Sequence, residues 1–173
     1  LIGEDDRPFD VFPTYDYMDD YLEDTGIKVE VTIRQQSVFC KVWKLQGFNN
    51  VPLYLLDTDL PENEGFRWIT RNLYGRSSED RLAQEIVLGI GGIKALKALE
   101  LEIDVYHFNE GHAALAGTEL IKDKMSQGIT FNQAWETVRE QIIFTTHTPV
   151  REGNEYFDLE LLKSMGAFNG LTY

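Results

Sequence analysis

The sequence predicts an α/β protein: a Rossmann-like parallel sheet with flanking helices, preceded by an antiparallel strand meander near the N-terminus. Two observations predict this class. Residues 28–57 form three short apolar or alternating runs separated by turns, which is typical of antiparallel strands joined by tight connections. From residue 79 the pattern of apolar residues predicts the order helix, strand, helix, helix, strand, helix. Such alternation indicates a parallel sheet with right-handed crossovers.

The chain length favours one domain. With 173 residues and 43% hydrophobic side chains, the chain can bury one core. We expect a single partial domain over residues 1–173, because the sequence has no initiator methionine and begins in a loop-like stretch. Its expected parts are an irregular acidic lead-in (1–27, with a loop or short helix at 15–23), the strand meander (28–60), a long loop (61–78) and the α/β portion (79–173).

The charge balance excludes some partners. The net charge is −13, which repels nucleic-acid phosphates and anionic membrane surfaces, so we expect neither partner. No stretch is long and apolar enough to cross a membrane. The single cysteine, Cys40, cannot form an internal disulfide, and we expect a buried, inert thiol and a cytoplasmic protein.

The meander is predicted from alternation with a period of two. In residues 28–34 and 37–45 every second residue is apolar, so the apolar side chains lie on one face of each strand. Residues 51–57 form a third, more continuously apolar strand. The residues expected to face the core are Val29, Val31, Ile33, Val38, Cys40 and Val42.

The second half begins with a helical stripe. Its apolar positions are Leu82, Ile86, Ile90, Ile93 and Leu101. The glycine-rich run at residues 89–92 lies inside this stripe rather than after a strand, so we interpret it as close helix packing and not as a dinucleotide-binding loop.

Two strands and three further helices complete the prediction. The strands are predicted at residues 105–108 and 142–146. One helix is predicted at 111–125, a second begins at Thr130, and a third is predicted at 159–165. Thr130 and Gln133 fit a capping box. The buried face of that helix is predicted to contain Ala134, Trp135 and Val138.

The predicted site lies at the carboxyl ends of the two parallel strands, where ligands bind in open parallel sheets. The sequence HFNEGH follows the first strand (107–112), and TTHTP follows the second (145–149). Gly111 permits a sharp turn, Glu110 could accept hydrogen bonds from sugar hydroxyls, and His112 could donate or accept. An alternative is that Glu110 and His112 only cap the following helix.

Two other chemistries fit less well. The histidines His107, His112 and His147 with Glu110 have no helical ligand spacing, so metal binding is not predicted. We expect His107 to lie among core-facing residues. The acids of the Asp57-Thr58-Asp59 segment could pair with Glu110 as in a glycoside hydrolase, but we favour their ordering of the loop that follows.

Four blocks of sequence resemble the α-glucan (glycogen, starch or maltodextrin) phosphorylases, particularly their shorter bacterial and archaeal branch. The blocks are VPLYLLDTDLPEN (51–63), RLAQEIVLGIGG (81–92), YHFNEGHAA (106–114) and FTTHTPV (144–150). They occur in the family's order, and the resemblance covers about residues 51–157.

The resemblance implies the N-terminal lobe of a two-lobed GT-B glycosyltransferase. Such enzymes cleave α-1,4-glucan ends with inorganic phosphate to give glucose 1-phosphate, so the implied partners are α-1,4-glucan or maltooligosaccharide and phosphate. Pyridoxal phosphate is held by a lysine of the C-terminal lobe, and this lysine is not in the chain; we expect no cofactor bound here. The resemblance is compatible with a homodimeric parent.

The resemblance also assigns the site residues. It places His147 against the glucosyl unit and Glu110 and His112 beside the anomeric carbon, which makes these three the catalytic candidates. The candidate substrate-binding residues are Asn109, Gly111, Thr148 and Asp59. By the same resemblance, residues 59–75 would lie near the family's mobile gate loop. Arg151 stands where the family pattern has a proline, and no role is assigned to it.

Two alternatives remain open. A starch or glycogen synthase lobe shares the architecture, but its expected His-Asp-Trp-His turn is replaced here by NEGH at 109–112, which favours a phosphorylase. A non-catalytic glucan-binding module is the other. For the phosphorylase interpretation, we expect the chain alone to bind glucan weakly at best and to catalyse nothing.

Overall fold

A computed structural model describes residues 21–47, 49–150 and 155–171. The predicted lead-in up to residue 20, most of the segment at 15–23, and Arg151 lie outside these ranges. The strands are β1 (Glu23–Ile33), β2 (Gln36–Leu45), β3 (Leu53–Asp57), β4 (Tyr106–Asn109) and β5 (Ile142–Thr145). The helices are α1 (Ser78–Ile86), α2 (Gly92–Ala98), α3 (Ala116–Ser126), α4 (Phe131–Glu140) and α5 (Leu159–Met165).

The antiparallel meander is confirmed, with strand order β1-β2-β3. A two-residue turn joins β1 to β2, and both of its residues, Arg34 and Gln35, have positive φ (51° and 62°). This backbone matches the right-handed twist of the flanking strands. β1 begins five residues before the predicted start at residue 28, and the pairing with β2 shifts register between Asp24 and Lys28.

The inner face of the meander forms the first hydrophobic core. All six predicted core-facing residues are buried, and they pack with Leu82, Ile86 and Ile90 of the helical segment. Cys40 is fully buried, and this burial raises the pKa of its thiol to about 12. The predicted burial of this cysteine is thereby confirmed, and a thiol that stays protonated is a weak nucleophile.

The helical stripe is interrupted by one π-helical turn, Val87–Gly91, between α1 and α2. The first three residues of the glycine-rich run (89–91) lie in this turn, and Gly92 begins α2. A Cβ on Gly89 would be 2.7 Å from the backbone nitrogen of Ala116. The predicted close helix contact is therefore confirmed at Gly89, whereas an added Cβ on Gly92 would meet nothing within 4 Å. Leu101 is not part of the stripe, because α2 ends at Ala98 and leaves Leu101 39% exposed.

The parallel strand pair is also confirmed. β4 and β5 pair in parallel from Tyr106 opposite Ile142 to Asn109 opposite Thr145, and α3 and α4 form the crossover between them. The helix predicted at 111–125 begins instead with a 3-10 turn, Gly111–Ala113, before α3. In the described residues the parallel sheet has these two strands, separate from the meander.

A second hydrophobic core lies under the parallel pair. It is formed by Ile93, Phe108, Ala116, Leu120, Ile121, Ala134 and Val138. The capping box of Thr130 and Gln133 at the start of α4 is confirmed. The prediction that Trp135 is buried is wrong: it is 50% exposed and stacks on Phe131 at the surface instead of joining the core.

The helix α5 has the predicted bounds and closes the first core. Met165 is buried, and its carbonyl accepts a hydrogen bond from the backbone N–H of Arg34 at 3.3 Å. Gly166 ends the helix in the left-handed conformation (φ 82°), which glycine adopts without a steric penalty. Across the part of the chain that the structure describes, no helix is both long and apolar enough to span a bilayer.

The two glycines Gly89 and Gly92 allow a matched test of the helix packing. We expect Gly89→Ala to lower the free energy of unfolding by about 1–3 kcal/mol, because the added methyl group meets backbone atoms of the α3 start. Gly92→Ala should raise it by about 0.5–1 kcal/mol, since its Cβ meets nothing within 4 Å in a helical backbone. Urea denaturation of both variants checks the pair, and equal effects would contradict the packing argument.

Candidate functional site

The carboxyl ends of β4 and β5 lie side by side. Asn109 and Thr145 are opposite each other in the last pair of the parallel ladder, and the backbone N–H of Glu110 donates to the carbonyl of Thr145 at 2.8 Å. The two predicted polar segments are thus adjacent. The prediction that His107 faces the core is wrong: it is exposed, and its Nε2 is 2.7 Å from Oγ1 of Thr145, while Phe108 is the buried residue of β4.

Glu110 holds the two segments together. Its carboxylate accepts a hydrogen bond from the backbone N–H of His147, and also from the hydroxyls of Thr146 (3.2 Å) and Thr148 (3.3 Å). The bond from the His147 amide is the main reason that the pKa of Glu110 is lowered. The side chain makes no capping bond to the helix that follows, so the capping alternative is wrong for Glu110.

The backbone of Glu110 is in a sparsely populated conformation (φ 62°, ψ −172°). A residue with a side chain adopts positive φ at an energetic cost, and such residues cluster at functional sites where the surroundings hold them. Here the three hydrogen bonds of the carboxylate supply that hold. We name the segments 109–112 and 146–148 together the rim.

The imidazole of His147 is oriented by Asn109. Its Nε2 donates to Oδ1 of Asn109 at 2.8 Å, and in the neutral ring Nδ1 is then a hydrogen-bond acceptor. His147 is exposed. Both ends of this residue, backbone N–H and ring, are therefore fixed by residues of the other rim segment while the side chain stays open to solvent.

A cavity of about 490 Å³ lies beside the rim and contains a charged cluster. In this cluster the guanidinium of Arg81 contacts two side chains. Its Nε is 2.5 Å from Oε1 of Glu155, and its Nη2 is 2.6 Å from Nδ1 of His112. The ring of Tyr74 lies 5.0 Å from the guanidinium carbon. Side-chain exposure of Arg81 is 14% and that of Glu85 is 8%.

The two carboxyl groups of this cluster differ in protonation. Burial of Glu85, and its hydrogen bond to the Glu155 carboxylate, raise the pKa of Glu85 to about 9. Partial burial opposes ionisation of Glu155, but the hydrogen bond from Glu85 and the contact with Arg81 outweigh it and lower the pKa of Glu155. At neutral pH the cluster therefore pairs one cation, Arg81, with one anion, Glu155.

Ligand atoms of Glu85, His112 and Glu155 lie within 4.8 Å of one another, an arrangement that can suit a metal ion. The guanidinium of Arg81, however, already contacts His112 and Glu155 in hydrogen-bond geometry. The donor set is therefore occupied by an internal cation. This group of residues also differs from the three histidines and Glu110, which were considered as metal ligands from the sequence.

The structure places the predicted site residues in two regions. His147, His112, Glu110, Asn109, Gly111 and Thr148 belong to the rim. Asp59 instead follows β3 and accepts a hydrogen bond from Nε of Arg67 at 2.6 Å; in the described residues no hydrogen bond joins it to Glu110 or His147. Asp57 accepts from the N–H of Asp59 at 2.8 Å and from Trp43 at 3.2 Å, which confirms its predicted role in ordering the loop.

Arg81, Glu85 and Glu155 were missed by the sequence reasoning. Glu85 carried a usable signal, because it lies three residues after Leu82 on the apolar stripe, and a carboxyl group at a core-facing position needs a partner. Arg81 precedes it by one helical turn. Glu155 had no comparable signal, since the sequence around it shows neither helical nor strand periodicity.

Fold and site together define an α/β structure with a polar rim at the carboxyl ends of its parallel strands. No family model matches the chain. It is 44% identical over 155 residues to an uncharacterized protein of Methanocaldococcus jannaschii (88% of this chain, 28% of the relative) and 41% identical over 145 residues to a glycogen phosphorylase of Mycobacterium tuberculosis (79% and 17%). It is 37% identical over 180 residues to a maltodextrin phosphorylase of Thermococcus litoralis (96% and 21%).

The chain belongs to the glycogen and maltodextrin phosphorylase family, of which it represents a segment. It spans between 17% and 28% of the length of these three curated relatives. The resemblance found in the sequence is thereby confirmed at the level of the family.

Glu110→Gln tests the rim. We expect faster amide hydrogen exchange at His147, by several-fold, because a neutral amide oxygen is a weaker acceptor for this N–H than a carboxylate. Exchange at Val138, inside α4, should not change. Glu102→Gln, an exposed substitution of the same kind, is the control. Unchanged exchange at His147 in Glu110→Gln would contradict the anchoring role.

The raised pKa of Glu85 predicts a pH-dependent stability. Below its ordinary value of 4.5 the residue is protonated in both folded and unfolded chains; between 4.5 and about 9 only the folded chain keeps the proton, so rising pH favours unfolding. In Glu85→Gln this contribution is absent. We expect the free energy of unfolding of the variant, relative to wild type, to increase from pH 5 to pH 8, measured by urea denaturation. A constant difference across that range would contradict the assignment.

Proposed function

We propose that the chain supplies the sugar-facing wall of an α-glucan phosphorylase, in the N-terminal lobe of a GT-B enzyme that cleaves α-1,4-glucan ends with phosphate to give glucose 1-phosphate. The observation that carries this proposal is the anchoring of the His147 backbone and ring by Glu110 and Asn109. A wall that recognises sugar needs fixed polar groups, because ordering a flexible wall would cost part of the binding free energy. The family relationship supplies the substrate class.

The charge of the rim suits glucosyl transfer. Glucosyl transfer passes through a cation-like sugar, and preorganised negative groups on one wall stabilise that charge. The lowered pKa of Glu110 keeps its carboxylate ionised. Because both of its oxygens already accept internal hydrogen bonds, Glu110 acts by its charge and by positioning His147, and not as a proton carrier.

His147 and Thr148 are the proposed sugar contacts from the second segment, with Asn109, Gly111 and His112 from the first. The proposal keeps Asp59 as a substrate-binding residue near the family's gate loop. In the structure Asp59 is paired with Arg67. A neutral glucan is also compatible with a chain whose net charge is −13, since it has no charge to be repelled.

The lining of the cavity beside the rim does not fit the attachment of pyridoxal phosphate, which the family implies. The cofactor binds as a Schiff base with a lysine, and the described lining of the cavity beside His112 contains none. The lysines of the meander are paired on its surface: Lys28 with Glu62, Lys41 with Asp24, and Lys44 with Glu23. The proposal therefore assigns the cofactor and the proton it transfers to the C-terminal lobe of a longer protein.

The phosphorylase proposal is preferred to a synthase lobe because the relatives from Mycobacterium tuberculosis and Thermococcus litoralis are both named as phosphorylases. We include a cytoplasmic location in the proposal, based on one buried cysteine that has no partner for a disulfide. The implied partners are α-1,4-glucan or maltooligosaccharide and phosphate. A homodimeric parent is compatible with the family.

Titration of the labelled chain with maltoheptaose tests the rim as a sugar-binding wall. We expect a dissociation constant of about 1 mM or weaker, because the proposal assigns the opposite wall to another lobe, with amide shifts concentrated at residues 146–148. His147→Ala should remove these shifts. His107→Ala is the matched control, since His107 bonds Thr145 on the strands and lies outside the rim.

Two outcomes would count against the proposal. Shifts spread evenly over the surface, or kept in His147→Ala, would contradict a sugar-binding rim. Micromolar binding that localises away from residues 146–148 would favour a non-catalytic glucan-binding module. In addition, release of glucose 1-phosphate from maltoheptaose and phosphate by the purified chain would contradict the assignment of proton transfer to another lobe.

A further inference from the structure

The protonation state of His112 follows from its contact with Arg81. Nη2 of Arg81 is 2.6 Å from Nδ1 of His112. A guanidinium has five N–H donors and no acceptor, and it does not lose its proton in proteins. Nδ1 must therefore accept, and a ring that accepts at Nδ1 is neutral and carries its proton on Nε2.

We propose that Arg81 is a positioning residue that holds His112 in the Nε2-protonated form, so that His112 faces a bound sugar as a hydrogen-bond donor. That the Nε2–H group donates to a sugar rests on the proposed function. The tautomer itself rests on the distances within the chain. The proposal narrows the sequence-based expectation that His112 could either donate or accept.

Arg81 is well held for this task. Its Nε is 2.5 Å from Glu155, the ring of Tyr74 covers the guanidinium at 5.0 Å, and the side chain is 14% exposed. The planar guanidinium can bond Glu155 through Nε and His112 through Nη2 at once, because its donors have a fixed geometry. A lysine, with a single ammonium group, could not keep both contacts in the same geometry.

The other charged groups near the ring would give the opposite tautomer without Arg81. Nδ1 of His112 is 3.6 Å from Oε2 of Glu155 and 3.8 Å from Oε1 of Glu85. Carboxyl oxygens accept hydrogen bonds, so with the guanidinium removed they favour a proton on Nδ1. The described groups around Nδ1 are therefore two acceptors and one donor, and the donor is the closest of the three.

The two rim histidines then offer different groups. His147 uses Nε2 to donate to Asn109, which leaves Nδ1 as an acceptor in the neutral ring. His112 uses Nδ1 to accept from Arg81, which leaves Nε2–H as a donor. A wall with one donor and one acceptor can bind a hydroxyl pair in one orientation, and this is a basis for specificity.

The experiment is a long-range ¹H–¹⁵N correlation spectrum of the ¹⁵N-labelled chain at pH 7, which distinguishes the two neutral histidine tautomers and the protonated ring. In the wild-type chain we expect His112 to show the Nε2–H pattern. In Arg81→Met we expect its Nδ1 to become protonated. A wild-type spectrum with a proton on Nδ1, or an unchanged His112 pattern in Arg81→Met, would overturn the proposal.

Three controls separate this effect from loss of structure. The chain has three histidines, so the signals of His107 and His147 report on the fold in the same spectrum. Arg139→Met removes an exposed arginine of α4 and should leave all three patterns unchanged. Glu155→Gln keeps an oxygen acceptor for Arg81 and should keep the Nε2–H pattern of His112; if it changed the tautomer, Glu155 rather than Arg81 would be the determinant and the proposal would fail.

The same spectrum distinguishes this inference from the proposed function. If maltoheptaose leaves the Nε2 signal unmoved while the wild-type tautomer and the Arg81→Met change are as expected, the positioning role holds and the sugar-binding role fails. If the signal moves with sugar but His112 carries its proton on Nδ1, the sugar-binding role holds and the role of Arg81 is overturned.

Discussion

The rim depends on one contact, the hydrogen bond from the backbone N–H of His147 to the carboxylate of Glu110. The parallel pairing of β4 and β5 brings the two segments to the same edge, but it ends at Asn109 and Thr145. Beyond that pair the strand ladder no longer joins the two segments, and side chains hold them together. Glu110 does so with three hydrogen bonds, at the cost of a positive φ in its own backbone.

The cavity behind the rim follows a different principle. A buried ion is costly unless it is paired and hydrogen-bonded. Among the four polar side chains there, Arg81 pairs with Glu155, Glu85 holds a proton, and Nδ1 of His112 faces the guanidinium as an acceptor. The helix α1 provides Arg81 and Glu85. The first rim segment provides His112, and Glu155 comes seven residues after the end of the second. The cluster thereby joins the helix to the rim without an excess of buried charge.

Much of the fold could be predicted from the sequence, because its signals are local. Alternation identified the core-facing residues of the meander, such as Val31 and Cys40, and the spacing of Thr130 and Gln133 identified a helix start. Trp135 was misplaced because helical periodicity cannot tell whether a neighbour covers the face on which a residue lies. At the site, strand ends located Glu110 and His147, but the pairing of Arg81 with His112 and Glu155 joins distant segments and leaves no local pattern.

Under the proposed function, these internal contacts suit the rim to positioning a sugar and not to moving a proton. A general acid or base needs a site that can exchange its proton with the substrate. The oxygens of Glu110 are engaged by the backbone and by two threonines, and its lowered pKa keeps it ionised. Nδ1 of His112 accepts from a guanidinium that never releases a proton, and Nε2 already carries the ring proton, so neither ring nitrogen is free to take a proton from a substrate. In the proposed function, the proton for the departing glucan oxygen is therefore assigned to the opposite wall of the pocket. The rim residues, which there only bind and orient, can then be held rigidly.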